Sequence, residues 1–206
     1  MITQKIFIIG LPRTATTSVC AAMLDLGFTT AHTAYTKQTM INAQVIADTP
    51  IFCDYQALDL TYPGSKFINL SRDLSTWLPS IRQLLERMFV NLQRDDGGSN
   101  PTLRRCYNDV FSPLTRENIA SDQFLTDCYN RHQQAITKYF ANRAHDLLTI
   151  DITDPDSFNQ LLSFVDATST NAGFSHMNIG GKVTAWKKVK HPLKIESTNR
   201  GKIDPV

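Results

Sequence analysis

Ile6-Phe7-Ile8-Ile9-Gly10-Leu11-Pro12-Arg13-Thr14-Ala15-Thr16-Thr17-Ser18 decides how the rest of the chain is read. Four consecutive apolar residues, three of them β-branched, end at a glycine and predict a short strand buried on both faces. A polar turn follows, and Ser18 to Leu26 carries apolar residues at helical spacing until Gly27 stops the helix. A buried strand running through a tight loop into a helix is the setting of a phosphate cradle. Amides at a helix start lack intrahelical partners and carry partial positive charge, so they receive anionic oxygens. Thr14, Thr16, Thr17 and Ser18 add hydroxyls, and Arg13 adds a permanent cation. The structural alternative is a plain strand–turn–helix junction with a hydroxyl cap.

Working outward, Phe28 to Ala31 reads as a second strand. Lys66-Phe67-Ile68-Asn69-Leu70 reads as a third, introduced by the turn Tyr62-Pro63-Gly64-Ser65. A helix is expected from about Thr76 through Phe89, with Pro79 in its first turn. Arg94 to Pro101 is the clearest loop, and Asp122 to Ala144 a long helix. Leu147 to Asp151 is a fourth strand, and Pro155 to Phe164 begins another helix. Strands separated by helices imply parallel βαβ units. The expected fold is therefore α/β: a three-layer P-loop-type domain whose central parallel sheet carries helices on both faces. Ligands in such sheets bind at the carboxyl ends of the strands.

The bulk properties agree with one domain spanning residues 1–206. The chain has 206 residues, 42% hydrophobic and 19% charged, which describes an ordinary globular protein. A net charge of +2 gives no argument for nucleic acid or a membrane surface as partner. Cys20, Cys53, Cys106 and Cys128 show no CxxC spacing and read as free thiols. The histidines form no HExxH pattern, so no metal is expected. The apolar run near the N-terminus is too short for a signal-peptide core or a membrane span, from which a cytoplasmic location is expected. Oligomeric state is not legible.

The loop differs from the nucleoside-triphosphate pattern GxxxxGK[ST] at two places: Ala15 stands at the second glycine and Thr16 at the lysine. A kinase or ATPase without that lysine lacks the cation bridging the terminal phosphates. Pro12-Arg13-Thr14-Ala15-Thr16-Thr17 instead resembles the 5′-phosphosulfate loop of PAPS-dependent sulfotransferases, written roughly PRxGTT or PKSGTT. Ala15 departs from its glycine; if the backbone there requires positive φ, an alanine is strained. Arg72 and Ser80 have the spacing with which that family holds the 3′-phosphate, an arginine directly after a central strand and a serine further on. Other stretches similar to the short, single-domain branch of the family include Leu58 to Ile68, Tyr129 to His132, Leu147 to Ile152 and Phe174 to Asn178.

The resemblance implies sulfuryl transfer from PAPS to a hydroxyl or amine acceptor, a small molecule or saccharide, with PAP as product. The implied donor-binding set is Gly10, Pro12, Arg13, Thr14, Ala15, Thr16, Thr17, Ser18, Arg72 and Ser80, with Arg13 at the transferring group. Relatives carry their catalytic histidine in a Thr-His-x-Pro context; here Ala47-Asp48-Thr49-Pro50 stands there, making Asp48 the implied base. His32, at the end of the second strand and able to titrate near neutrality, is its rival, and Asp54 is a weaker third. His132 and His176 are read as structural. Residues 88–130 are expected to form most of the acceptor pocket. Gly181 to Lys187 matches only partly the segment RKGxxGxWK that closes over the nucleotide, so the role of residues 180–206 stays open and Trp186 is read as packing. Two other functions stay in play: a kinase with an altered loop, and a non-catalytic nucleotide-binding relative.

Overall fold

The computed structural model describes residues 4–94, 96, 98–174 and 185–204. Its five strands are β1 (Ile6–Ile8), β2 (Thr30–Ala31), β3 (Val45–Ala47), β4 (Lys66–Leu70) and β5 (Leu147–Ile150), all parallel, in the order β2-β3-β1-β4-β5. The register pairs Phe7 with Ile46 on one side and Phe67 on the other, which makes β1 the central strand.

Side-chain alternation along these strands feeds two cores. Ile6, Ile8, Val45, Ala47, Ile68, Leu70 and Ile150 point to one face. There Val19, Cys20 and Met23 of α1 (Thr16–Asp25) and Leu161 of α8 (Ser157–Phe164) cover them. Phe7, Ile9, Ala31, Ile46 and Phe67 point to the other face. They are covered by Ile51, Tyr55 and Leu58 of α3 (Ile51–Thr61) and by Ile136 of α7 (Asp122–Tyr139), with Phe140 just beyond its end. The expected three-layer arrangement with helices on both faces is present. A third core joins Trp77, Ile81, Leu84 and Leu85 of α4 (Leu74–Gln93) to Cys106 and Tyr107 of α5 (Pro101–Val110), Ile119 of α6 (Arg116–Ala120), and Leu125, Cys128 and Tyr129 of α7. Among the described residues no helix is long and apolar enough to cross a membrane.

Several sequence boundaries shift. The helix expected from Thr76 starts at Leu74, because the Asp73 side chain accepts the Ser75 amide and caps it earlier. Pro79 is therefore its sixth residue and lies outside the first turn, correcting the expected placement. The long helix ends at Tyr139, before a short 3₁₀ turn at Ala144–Asp146. Strand β3, helix α2 (Lys37–Asn42) and helices α3, α5 and α6 were not anticipated.

Candidate active site

A cavity of about 1060 Å³ opens at the carboxyl ends of the strands. The segments following β1, β2, β3, β4 and β5 supply Pro12 to Ser18, His32, Asp48, Arg72 and Asp151 to its wall. Two residues of the first loop are left-handed, Arg13 at φ 73° and Ala15 at φ 75°. Ala15 thus holds, with a Cβ, the conformation for which the related loops use glycine, at a cost of roughly 1–2 kcal/mol. It also precedes α1, whose start has no side-chain cap and whose first residues, Thr16 to Ser18, line the cavity.

Neighbouring elements hold the loop in that shape. The indole N–H of fully buried Trp77, on α4, donates to the Pro12 carbonyl at 3.0 Å. Arg72 Nη1 donates to the Arg13 carbonyl at 2.7 Å, and Arg72 Nε to Thr76 at 3.1 Å. Arg13 Nε in turn donates to Ser80 Oγ at 2.8 Å. The loop and the Arg72–Ser80 pair, read from the sequence as two sites, therefore form one continuous cationic patch. These bonds use one N–H of Arg13 and two of Arg72 out of five on each guanidinium, which leaves donors for an anion. Burial, with Arg72 and Arg87 close by, draws Arg13 below the usual arginine range, opposed by Tyr107 and Asp48; a guanidinium stays charged regardless.

The hydroxyls divide their duties. Thr14 is buried and donates back to the Leu11 carbonyl at 2.7 Å, so it shapes the loop. Thr16 and Thr17 reach His32 Nε2 at 3.2 and 2.9 Å. Gly10 does not line the cavity. A Cβ there would stand 2.6 Å from Leu70 Cβ and 2.7 Å from the Thr14 hydroxyl, so the glycine admits close packing of β1 on β4.

His32 and Asp48, read as rivals, are neighbours: Nδ1 of the first is 3.8 Å from Oδ2 of the second. Burial lowers the His32 pKa more than the Asp48 charge raises it, which keeps the imidazole neutral at pH 7. Asp48 is itself left-handed at φ 53°, and its Oδ1 accepts the Thr49 hydroxyl at 3.1 Å. Asp54 does not join this group. Both its oxygens bind Arg105, at 2.9 and 2.6 Å, away from the cavity, which removes it as a base. His132 is buried, with Nε2 2.9 Å from the Ile9 carbonyl and a pKa lowered by burial to about 4, as suits a structural histidine. His176 lies outside the described residues.

Leu84, Met88, Leu103, Tyr107 and Tyr35 complete one side of the cavity. From residues 88–130, Met88, Leu103 and Tyr107 reach it, while most of that stretch packs among its own helices. Burial and the Asp48 charge push both phenols above the usual tyrosine range. The last described segment adds Trp186, Lys187, Lys194 and Glu196 to the lining. Sequence reasoning missed Trp77, Tyr107, Tyr35, Asp151 and Lys194. Only Asp151 had a signal, since it directly follows a strand; the others depend on tertiary placement.

The fold and this loop define an α/β protein with a cationic loop at the end of its central strand. A family model described as a sulfotransferase domain matches residues 5–40 and 33–183. The chain belongs to the sulfotransferase family, and so to a class of transferases. A search of curated proteins found no match.

Proposed function

We propose that the chain is one sulfotransferase-like domain acting in the cytoplasm, and that it moves a sulfuryl group from PAPS to a hydroxyl or amine of a small-molecule or saccharide acceptor, releasing PAP. The observation that carries this reading is the junction of Arg13, Ser80 and Arg72 at the uncapped start of α1. The donor set suits a nucleotide with anionic groups at two places. The loop and α1 start would receive the phosphosulfate, with Arg13 at the transferring group. Arg72 and Ser80 would receive the 3′-phosphate.

In the transfer, the acceptor oxygen or nitrogen bonds to sulfur as the bond from sulfur to the 5′-phosphate oxygen breaks. The acceptor proton must leave. Asp48 lines the cavity with Arg13 and is our base, while neutral His32 orients Thr16 and Thr17 from one ring nitrogen and faces Asp48 with the other. Arg13 counts most as charge develops on the leaving oxygens. Leu84, Met88, Leu103 and Tyr107 offer an apolar wall to the acceptor body.

Thermal denaturation with PAP, ATP and GTP tests the donor. A ligand at roughly a hundred times its Kd stabilises the native state by about 2.7 kcal/mol, so PAP should raise the melting temperature and ATP and GTP should not. A kinase would show the reverse order. A PAP response with no transfer to any of a panel of phenols, alcohols, amines and sugars would leave a nucleotide-binding protein instead.

A further inference from the structure

Cys53 and Cys106 take no part in the proposed transfer, yet they meet between α3 and α5 behind the cavity wall. Their sulfurs, with the nearer carboxylate oxygen of Asp54, all lie within 4.8 Å of one another. Cys106 is buried and Cys53 half-buried, so one thiol of the pair is accessible and the other is held in reserve beneath it. Around Cys53 opposing charges meet, a carboxylate that accepts the thiol and a guanidinium that favours the thiolate. Asp109 Oδ2 accepts the Cys53 thiol at 3.8 Å, and Arg105 Nη1 lies 3.7 Å from the same sulfur.

We propose that Cys53 and Cys106 are a redox site, closing reversibly into a disulfide that ties α3 to α5. Cys53 acts first, since it is the accessible thiol of the pair and the Arg105 guanidinium stands 3.7 Å from its sulfur. The hydrogen bond from the Cys106 thiol, helped by the Arg105 charge, holds Cys53 below the usual thiol range against burial and the carboxylates of Asp54 and Asp109. The same hydrogen bond, with burial, pushes Cys106 up and keeps it a thiol until its partner is oxidised. A metal is the competing use of two sulfurs and a carboxylate. Arg105 argues against it, because its guanidinium already occupies both oxygens of Asp54 and supplies the positive charge at the cluster.

With a peroxide as oxidant the chemistry balances. The Cys53 thiolate attacks one peroxide oxygen; an S–O bond forms, the O–O bond breaks, and the departing oxygen leaves as water with the Cys53 proton. Cys106 sulfur then attacks the sulfenic sulfur. The S–S bond forms, the S–O bond breaks, and a second water carries off the Cys106 proton. Two thiols lose two electrons and the peroxide gains them. The consequence reaches the site, because Tyr107 follows Cys106 directly and lines the cavity with Leu103.

The test treats the native, reduced full chain with hydrogen peroxide, alkylates it in denaturant before and after that treatment so that buried thiols react too, and reads intact mass and peptide maps. Two of the four thiols should resist alkylation after oxidation, the mass should fall by two hydrogens, and one peptide should link Cys53 to Cys106. A dithiol reductant should restore all four. Cys53→Ser, conservative at a half-buried position, should keep its three remaining thiols open to alkylation. A Cys53 carried to sulfinic acid beside an alkylatable Cys106 would overturn the proposal. So would a link involving Cys20 or Cys128, or stoichiometric zinc binding by the reduced chain that Cys53→Ser abolishes.

Discussion

At Ala15 a single methyl group sets the energy of the loop. Its φ of 75° costs an L-residue about 1–2 kcal/mol, part of which glycine would lose again through the greater freedom of its unfolded chain, about 0.4–1 kcal/mol. Ala15→Gly should therefore stabilise the protein slightly, raising its melting temperature by roughly 1–4 °C for a chain of this size. A lower melting temperature would mean that the methyl group's packing outweighs its strain. The Asp48–His32 pair calls for a different measurement, since the two side chains touch different things. Asp48 faces the cavity, accepts the Thr49 hydroxyl and lies beside His32 but bonds no residue of the loop, so Asp48→Asn should cut turnover by about a hundred- to ten-thousandfold and leave PAP affinity nearly intact. His32 holds two threonines of the loop, so His32→Asn should weaken PAP binding as well as turnover. Normal turnover in Asp48→Asn together with a dead His32→Asn of unchanged PAP affinity would make the histidine the base.

Helix α7 shows how an element far along the chain fixes the site. Tyr129 Oη accepts the Arg72 amide at 2.8 Å and donates to the Arg72 carbonyl, His132 reaches the Ile9 carbonyl, and Gln133 bonds Asn69 and the Leu70 carbonyl. One helix face thereby clamps the ends of β1 and β4, the two strands that carry Arg13 and Arg72. The clamp is sensitive to acid. His132 titrates at about 4 when folded and near 6.5 when unfolded, so between these values the unfolded chain binds the extra proton. Stability from this group is complete above about pH 6.5, falls as pH drops through the window, and levels off below 4, a loss of up to about 3 kcal/mol. Chemical denaturation from pH 7 to pH 4 should show that fall in the wild type and a smaller one in His132→Gln; parallel curves would assign the acid sensitivity elsewhere. Legibility in the sequence follows the same logic of contacts. The β1 loop was legible because four buried residues and a glycine declare it locally, and Arg72 because it stands right after a five-residue strand. Strand β2, read as Phe28 to Ala31, is present but shorter, and β3, only three residues long, was missed although it places Asp48. Ser80 was found by spacing, but its bond to Arg13 required knowing where α4 starts. Tyr107 and Tyr35 have no local mark at all, since the cavity they line exists only after α5 docks on α3 and α4.

Across the whole molecule, the cavity is closed by residues far apart in sequence. Strand β2 is an edge of the sheet, and an uncovered edge exposes unpaired amides and carbonyls. The segment ending at Asp204 covers it: the Thr30 amide donates to the Leu193 carbonyl at 3.0 Å and the Ile195 amide to the Thr30 carbonyl at 2.9 Å. Beyond the strand, the Tyr35 amide donates to the Ser197 carbonyl at 2.9 Å and the Asp204 amide to the Tyr35 carbonyl at 3.1 Å. The same segment turns Lys194 and Glu196 to the cavity, and just before it Trp186 stacks against His32 with ring centroids 5.6 Å apart and Lys194 over its face. Residues 12–18 thus share one cavity with Trp186, Lys187, Lys194 and residues 196–198. A donor held by the loop would rest against this segment too, and binding that engages both should suppress local opening along β2. Hydrogen exchange with and without PAP reads this directly. The amides of Ile195, Tyr35 and Asp204 should slow by more than buried amides in the middle of α7, which report only global stabilisation. Uniform slowing throughout, or none at these three, would mean the segment covers the sheet edge without taking part in donor binding, and Trp186 would then be packing alone.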